Sequence, residues 1–102
     1  MTMQPIEAFR HCIPLFHAFA DPARQDIIVL LSEHERLTVN AIAEHSTLSR
    51  PAISHHLKIL RDTNLVRIEQ KGTQRYYSLH VNEAVEQLRT LVNLVQASCL
   101  DE

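Results

Sequence analysis

The segment from Leu48 to Arg61 constrains the fold most strongly, because its pattern predicts one helix with two unlike faces. Ser49 is a favourable N-cap, and Pro51 is tolerated in the first turn, where its missing N–H costs nothing. Apolar residues recur at helical spacing on one face: Ile53, Leu57 and Leu60. The other face carries hydrogen-bond donors and no acid: Arg50, Ser54, His55, Lys58 and Arg61. Such a helix suits the acceptor-rich major groove of DNA; the alternative is an ordinary amphipathic surface helix.

A short helix and a tight turn are predicted immediately before this segment. We expect Leu37–Val39 to be extended, Asn40 to cap a helix that runs to His45, and residues 46–48 to form the connector. A short helix, a three-residue turn and a second helix make a helix-turn-helix unit, whose second helix enters a DNA groove.

A β-hairpin is predicted after the helix, with Asn64 in the left-handed conformation between them. Residues 65–70 and 74–79 have the composition of strands, and residues 71–73 join them. Gly72 is the only glycine of the chain, so we expect a positive φ angle at the hairpin tip. Three basic side chains of the hairpin could reach phosphates: Arg67, Lys71 and Arg75.

The N-terminal part of the chain is also helical in character. Residues 5–20 have apolar side chains at helical spacing, and Pro14 should end one helix and start the next. Asp21 should cap a further helix that begins at Pro22 and ends at Ser32. That helix should turn its isoleucines and leucines inward and expose three polar side chains: Arg24, Gln25 and Asp26.

The last predicted helix spans residues 81–99, with Asn82 as its cap. Its apolar residues form a heptad seam: Val81, Val85, Leu88, Val92, Val95 and Cys99. Packing within the domain could account for part of this seam. Residues 5–20 add more aromatic surface than one small core needs, so we expect the two terminal helical regions to form a homodimer interface.

Charge is concentrated around the central helix and the hairpin. The chain has a formal net charge of −2. Residues 48–75 contain six basic and two acidic side chains, a balance of +4, which leaves −6 for the rest. A basic face on an acidic body favours docking onto a polyanion.

Length and composition narrow the class of protein. The 102 residues suit one domain that spans residues 1–102. Neither a secretory signal pattern nor a membrane-length apolar run is apparent, and two cysteines are too few for a disulfide framework, so we expect a cytoplasmic protein. With no carboxylate pair, nucleophile–base set or glycine-rich loop, we expect neither an enzyme nor a cofactor.

Several short motifs, in this order of elements, resemble one known family. They are Phe16-His17-Ala18-Phe19-Ala20-Asp21-Pro22-Ala23-Arg24, Leu48-Ser49, Ile53-Ser54-His55-His56-Leu57-Lys58-Ile59-Leu60, Asn64-Leu65-Val66 and Arg75-Tyr76-Tyr77-Ser78-Leu79. Over nearly its whole length the chain is similar to the ArsR/SmtB winged helix-turn-helix repressors. The resemblance implies a mainly α (α+β) fold with about five helices and a β-hairpin wing. It also implies a homodimer that binds double-stranded operator DNA and releases it on a metal or redox signal.

The metal ligands common in that family are missing here. Thr38 and Asn40 stand where soft-metal sensors carry a Cys-x-Cys pair. The positions of a second familiar site hold Ser78, His80, Leu91 and Leu94. His80 alone could bind a metal, and one ligand does not make a site, so no metal site is predicted.

The two cysteines leave a thiol sensor open. Cys12 and Cys99 lie on the two terminal helices, which pack together in this family. They could form a thiol pair, or a soft-metal site with His11 or His17. The alternative is that both are small apolar core residues, with the effector unknown or repression constitutive.

The expected DNA interface has two groups of residues. Base edges should be contacted by Arg50, Ser54 and His55, with His56 as half-buried support. Phosphates should be held by Ser49, Lys58, Arg61, Lys71 and Arg75. The rival function is a winged-helix module that binds protein and not DNA.

Overall fold

All four prolines of the chain lie in the first turn of a helix, where proline presets φ and needs no N–H partner. The computed structural model describes residues 2–100, with side chains as far as residue 98. Its helices are α1 (Pro5–His11), α2 (Ile13–Phe19), α3 (Pro22–Ser32), α4 (Val39–Glu44), α5 (Arg50–Asp62) and α6 (Asn82–Val95). A π-helical turn, Gln96–Leu100, follows α6. The break predicted at Pro14 is confirmed, because it separates α1 from α2.

The core lies where α3, α4 and α5 pack against a two-stranded sheet of β1 (Val66–Lys71) and β2 (Gln74–Leu79). Its fully buried large side chains come from α3, α4, α5 and the residue before β1: Leu31, Ile42, Ile53, Leu57, Leu60 and Leu65. The apolar stripe predicted on α5 is therefore the part of that helix that anchors it. None of the helices that the structure describes is long and apolar enough to cross a membrane.

The helix-turn-helix is formed by α4, the residues from His45 to Ser49, and α5. Ser49 caps α5 as predicted, with its side chain accepting the Ala52 N–H at 3.3 Å. The predicted cap of α4 was wrong. Thr38 has the extended conformation of an N-cap, and its Oγ1 accepts the Ala41 N–H at 3.1 Å, so Asn40 already lies inside the helix.

The hairpin is antiparallel, with Val66 opposite Leu79 and Lys71 opposite Gln74. Lys71 therefore belongs to β1, and the turn is shorter by one residue than predicted. Gly72 has φ +61° and Asn64 has φ +61°, which confirms both expected left-handed positions. Near its base, β2 also pairs through Tyr77 with Leu37, two residues before α4.

Arg24 is a second correction, because it is buried and not exposed. It lies on α3 one turn before Ile27 and two turns before Leu31, which are both buried. Its guanidinium donates from Nε to the Ala18 carbonyl at 2.9 Å and from Nη2 to the His17 carbonyl at 3.0 Å. These hydrogen bonds to the last turn of α2 satisfy a buried charged group.

The terminal helices α1 and α6 pack against each other. Ala84 and Leu91 are buried in the domain, whereas Val85 and Val92 of the predicted seam are 40% and 60% exposed. The helix begins at Asn82 with Val81 as N-cap, so Asn82 is not the cap, and regular α-helix ends before the predicted residue 99.

Candidate nucleic-acid interface

The exposed face of α5 carries the predicted donors. Arg50, Ser54, His55, Lys58 and Arg61 are all exposed, while the three apolar residues of the opposite stripe are fully buried. The helix is 13 residues long, about 20 Å at 1.5 Å per residue, which suits a groove-reading element. Ser49 uses an oxygen lone pair in capping and keeps its hydroxyl hydrogen as a donor.

An open groove separates α5 from the hairpin. Ser54, Lys58 and Arg61 line it from the helix, and Arg75 lines it from β2. Ile68 and Tyr77 complete its floor. Arg61 lies 3.7 Å from Asp62, but both side chains are about half exposed, so this ion pair is weak. Three cations along one groove make a surface that attracts phosphate oxygens.

The three basic residues of the hairpin do not share one face. Arg75 is paired with Gln70 and lies on the face that meets α5, whereas Lys71 belongs to the opposite face. On that outer face, the Glu69 carboxylate lies 3.4 Å from Lys71 Nζ. Of the three basic side chains of the hairpin, Arg75 alone therefore lies in the groove beside α5, and Arg67 and Lys71 belong to the outer face.

A further cation, which the sequence analysis did not single out, stands on the outer face. Arg36 lies 4.5 Å from the ring centroid of Tyr76 and 3.6 Å from the Glu69 carboxylate. Its guanidinium over the ring is a cation–π contact. Glu69 thus partly neutralises the two cations beside it, whereas Lys58 and Arg75 in the groove next to α5 form no ion pair with a carboxylate of the described residues.

A charged network lies between α2, α3 and α5. Arg24 Nη1 is 3.3 Å from His56 Nδ1 and 3.7 Å from Asp21 Oδ2. Asp21 also accepts the Ala23 N–H at 2.8 Å as the cap of α3. That backbone N–H lowers the pKa of Asp21 most, and the N–H and charge of Arg24 add to it against the opposing effect of burial. The expected half-buried position of His56 is confirmed.

A separate apolar surface is formed by α1, α2 and α6. Its large side chains are 40–60% exposed: Ile6, Phe9, Ile13, Phe16, Val85 and Val92. Six such residues on neighbouring helices exceed the isolated exposed hydrophobic residues that are normal on a monomer.

The two cysteines were the candidates for a thiol sensor. Cys12 is fully buried, with Sγ 3.7 Å from the Gln87 carbonyl of α6, whereas the Cys99 side chain lies outside the described residues. Among the described side chains, no cluster of three or more histidine, cysteine or acidic residues could hold a metal ion.

Comparison with known proteins agrees with this architecture. The model of the arsR family of bacterial regulatory proteins matches residues 21–67. The transcriptional repressor SdpR of Bacillus subtilis is 36% identical over 81 residues, which cover 79% of this chain and 89% of SdpR. The arsenical resistance operon repressor of the same organism is 38% identical over 68 residues, 67% of this chain and 65% of that repressor.

The fold has solved counterparts as well. An ArsR-like transcriptional regulator from Rhodococcus sp. RHA1 superposes with a TM-score of 0.81 at 25% identity, over 95% of this chain and 85% of the other. Family match, relatives and winged helix-turn-helix fold all agree, and the chain belongs to the ArsR family as a DNA-binding transcriptional regulator.

Proposed function

We propose that this regulator is a homodimeric repressor that places the α5 helix of each protomer in a major groove of its operator. The observation that carries the proposal is the exposed donor face of α5 on a helix whose other face is locked into the core. A rigidly held helix can match base edges without losing much conformational entropy on binding. The operator is then an imperfect palindrome with half-sites about 10 base pairs apart, or a small multiple of that spacing.

The residues of the interface divide by their place on α5 and the hairpin. Arg50, Ser54 and His55 lie in the N-terminal half of the helix, the part that contacts base edges in helix-turn-helix proteins. Phosphates are held by Ser49, Lys58, Arg61, Lys71 and Arg75. Lys71 is the weakest of these contacts, because the neighbouring Glu69 carboxylate competes for its ammonium group.

The apolar surface of α1, α2 and α6 forms the two-fold interface. Val92 on α6 is 60% exposed, and Ile13 on α2 is 57% exposed. Complete burial of one such side chain contributes about 1.5–3 kcal/mol, and a two-fold axis doubles each contact. Pairing of two copies through this face also sets the spacing of the two α5 helices.

Selection from a random pool of duplex DNA, followed by fluorescence anisotropy on the selected site, tests this assignment. We expect His55→Ala to change the preferred sequence, because it removes a base contact. Lys58→Gln should weaken binding to all duplexes equally. The matched control is His34→Ala, an exposed histidine outside α5 and the hairpin, which should leave both properties unchanged.

Two results would contradict the proposal. An unchanged sequence preference and affinity for His55→Ala and Lys58→Gln would remove α5 from the groove. Failure of the wild type to bind any duplex at low salt would favour the protein-binding alternative.

A further inference from the structure

The hydrogen bonds of Arg24 join the dimerisation side of the domain to α5. Two of its nitrogens donate to carbonyls in the last turn of α2, and a third faces Nδ1 of His56 on α5 at 3.3 Å. The side chain is only 7% exposed, so water does not compete effectively for these contacts. A single planar group thus holds two helices at a fixed separation.

This geometry determines which nitrogen of the neutral His56 ring carries the hydrogen. A guanidinium has five donors and no acceptor, so Nδ1 must accept and cannot carry a hydrogen. The neutral ring then has its proton on Nε2. Protonation of Nδ1 would remove the lone pair that Arg24 contacts and would place two positive charges about 3.3 Å apart.

Two other titratable groups, Asp21 and His55, lie near the contact between Arg24 and His56. Asp21, at the junction of α2 and α3, lies 3.7 Å from the Arg24 guanidinium and attracts positive charge at the site. On α5 itself, the His55 ring centroid is 5.8 Å from that of His56. A protonated His55 would oppose a second charge on the neighbouring ring.

We propose that Arg24 is a positioning residue for DNA recognition, and that it acts through neutral, Nε2-protonated His56. The inference rests on the proposed function of α5 and adds a requirement to it. Arg24 fixes the orientation of α5 relative to the α2 end of the apolar surface. A residue that does not touch DNA thereby sets how the exposed face of α5 is presented to the groove.

The positioning role is tested by the operator affinity of two His56 variants. His56→Asn keeps an oxygen that can accept from Arg24 and should bind the selected operator within about threefold of the wild type. His56→Leu removes the acceptor and should bind about tenfold more weakly, because a hydrogen bond to a charged group is lost in each copy of a dimer. His34→Leu, the matched control at an exposed histidine outside α5, should bind as the wild type does.

The protonation state is tested without DNA. Nitrogen-15 NMR of the histidine rings should show His56 with unprotonated Nδ1 in the wild type. In Arg24→Lys, which keeps the charge but cannot span the three acceptors, the two neutral forms should be mixed. A protonated His56 Nδ1 in the neutral wild-type ring, or equal operator affinities for His56→Asn and His56→Leu, would overturn the inference. Loss of all duplex binding in the wild type would instead refute the proposed function, and the NMR result would still decide the state of His56.

Discussion

Replacing Lys58 with glutamine should lower the salt dependence of operator binding by a calculable amount. Lys58 is exposed in the groove between α5 and the hairpin, and no described carboxylate lies within ion-pairing distance of it. Its ammonium group is therefore available for a phosphate, in contrast to Lys71, which is paired with Glu69. Glutamine keeps much of the length of the lysine side chain and removes its charge.

The magnitude follows from counterion release. Each phosphate contact contributes about 0.9 to the slope of log K against log salt concentration. The proposed dimer contains two copies of Lys58, so the slope should fall by about 1.8. Between about 50 and about 200 mM salt, the affinity of the variant should therefore decrease about twelvefold less than that of the wild type. A decrease in slope of about 0.9 would mean that only one protomer makes the contact.

Fluorescence anisotropy on the selected operator, titrated at five or more salt concentrations, measures the slope. His34→Gln controls for the loss of a side chain outside α5 and the hairpin. An unchanged slope in a folded Lys58→Gln dimer would refute the reasoning. If Lys58 contacts a phosphate, its removal leaves a counterion on that phosphate and must lower the slope. A changed sequence preference would also contradict it, since it would place Lys58 at a base edge.

Four other outcomes follow from the structure. Thr38→Ala should lower the free energy of unfolding in urea by about 1 kcal/mol, and Asn40→Ala by clearly less, because only Thr38 caps α4. Glu69→Gln should tighten operator binding and steepen its salt dependence by releasing two cations; equal slopes would disprove it. Because the folded-state pKa of Asp21 is lowered, its stabilising effect is lost as pH falls below about 4, so the stability difference from Asp21→Asn should shrink there. Val92→Glu should shift sedimentation from dimer to monomer and weaken operator binding.

Local backbone rules made much of the fold predictable from the sequence. Proline in a first helical turn and a positive φ at Gly72 and Asn64 depend on neighbouring residues only. The starts of the four helices that contain proline, and the hairpin, could therefore be inferred directly. The buried side of α5 was also predictable, because three apolar residues recur at helical spacing along it. The exposed donors of that helix followed, because they occupy the remaining face.

Arg24 shows where residue type misled the prediction. Its spacing to Ile27 and Leu31 places it on the buried stripe of α3, and periodicity alone would have found it. A buried arginine needs hydrogen-bond acceptors, however, and here they are backbone carbonyls of α2. The sequence does not predict that these carbonyls lie beside Arg24. The same limit applies to Lys71 and Arg75, whose opposite faces depend on the strand register and thus on a turn one residue shorter than predicted.

The pairing of Leu37 with Tyr77 predicts that mobility increases from the base of the hairpin to its tip. The two residues exchange backbone hydrogen bonds of 2.9 and 2.8 Å, which add a short third segment to the base of an otherwise two-stranded sheet. A two-stranded hairpin alone is marginally stable in water. Amide hydrogens at the base should therefore exchange with solvent slowly, and those near Gly72 should exchange quickly. A hairpin that is held at its base and flexible at its tip can adjust to a DNA backbone whose local curvature differs from one operator to another.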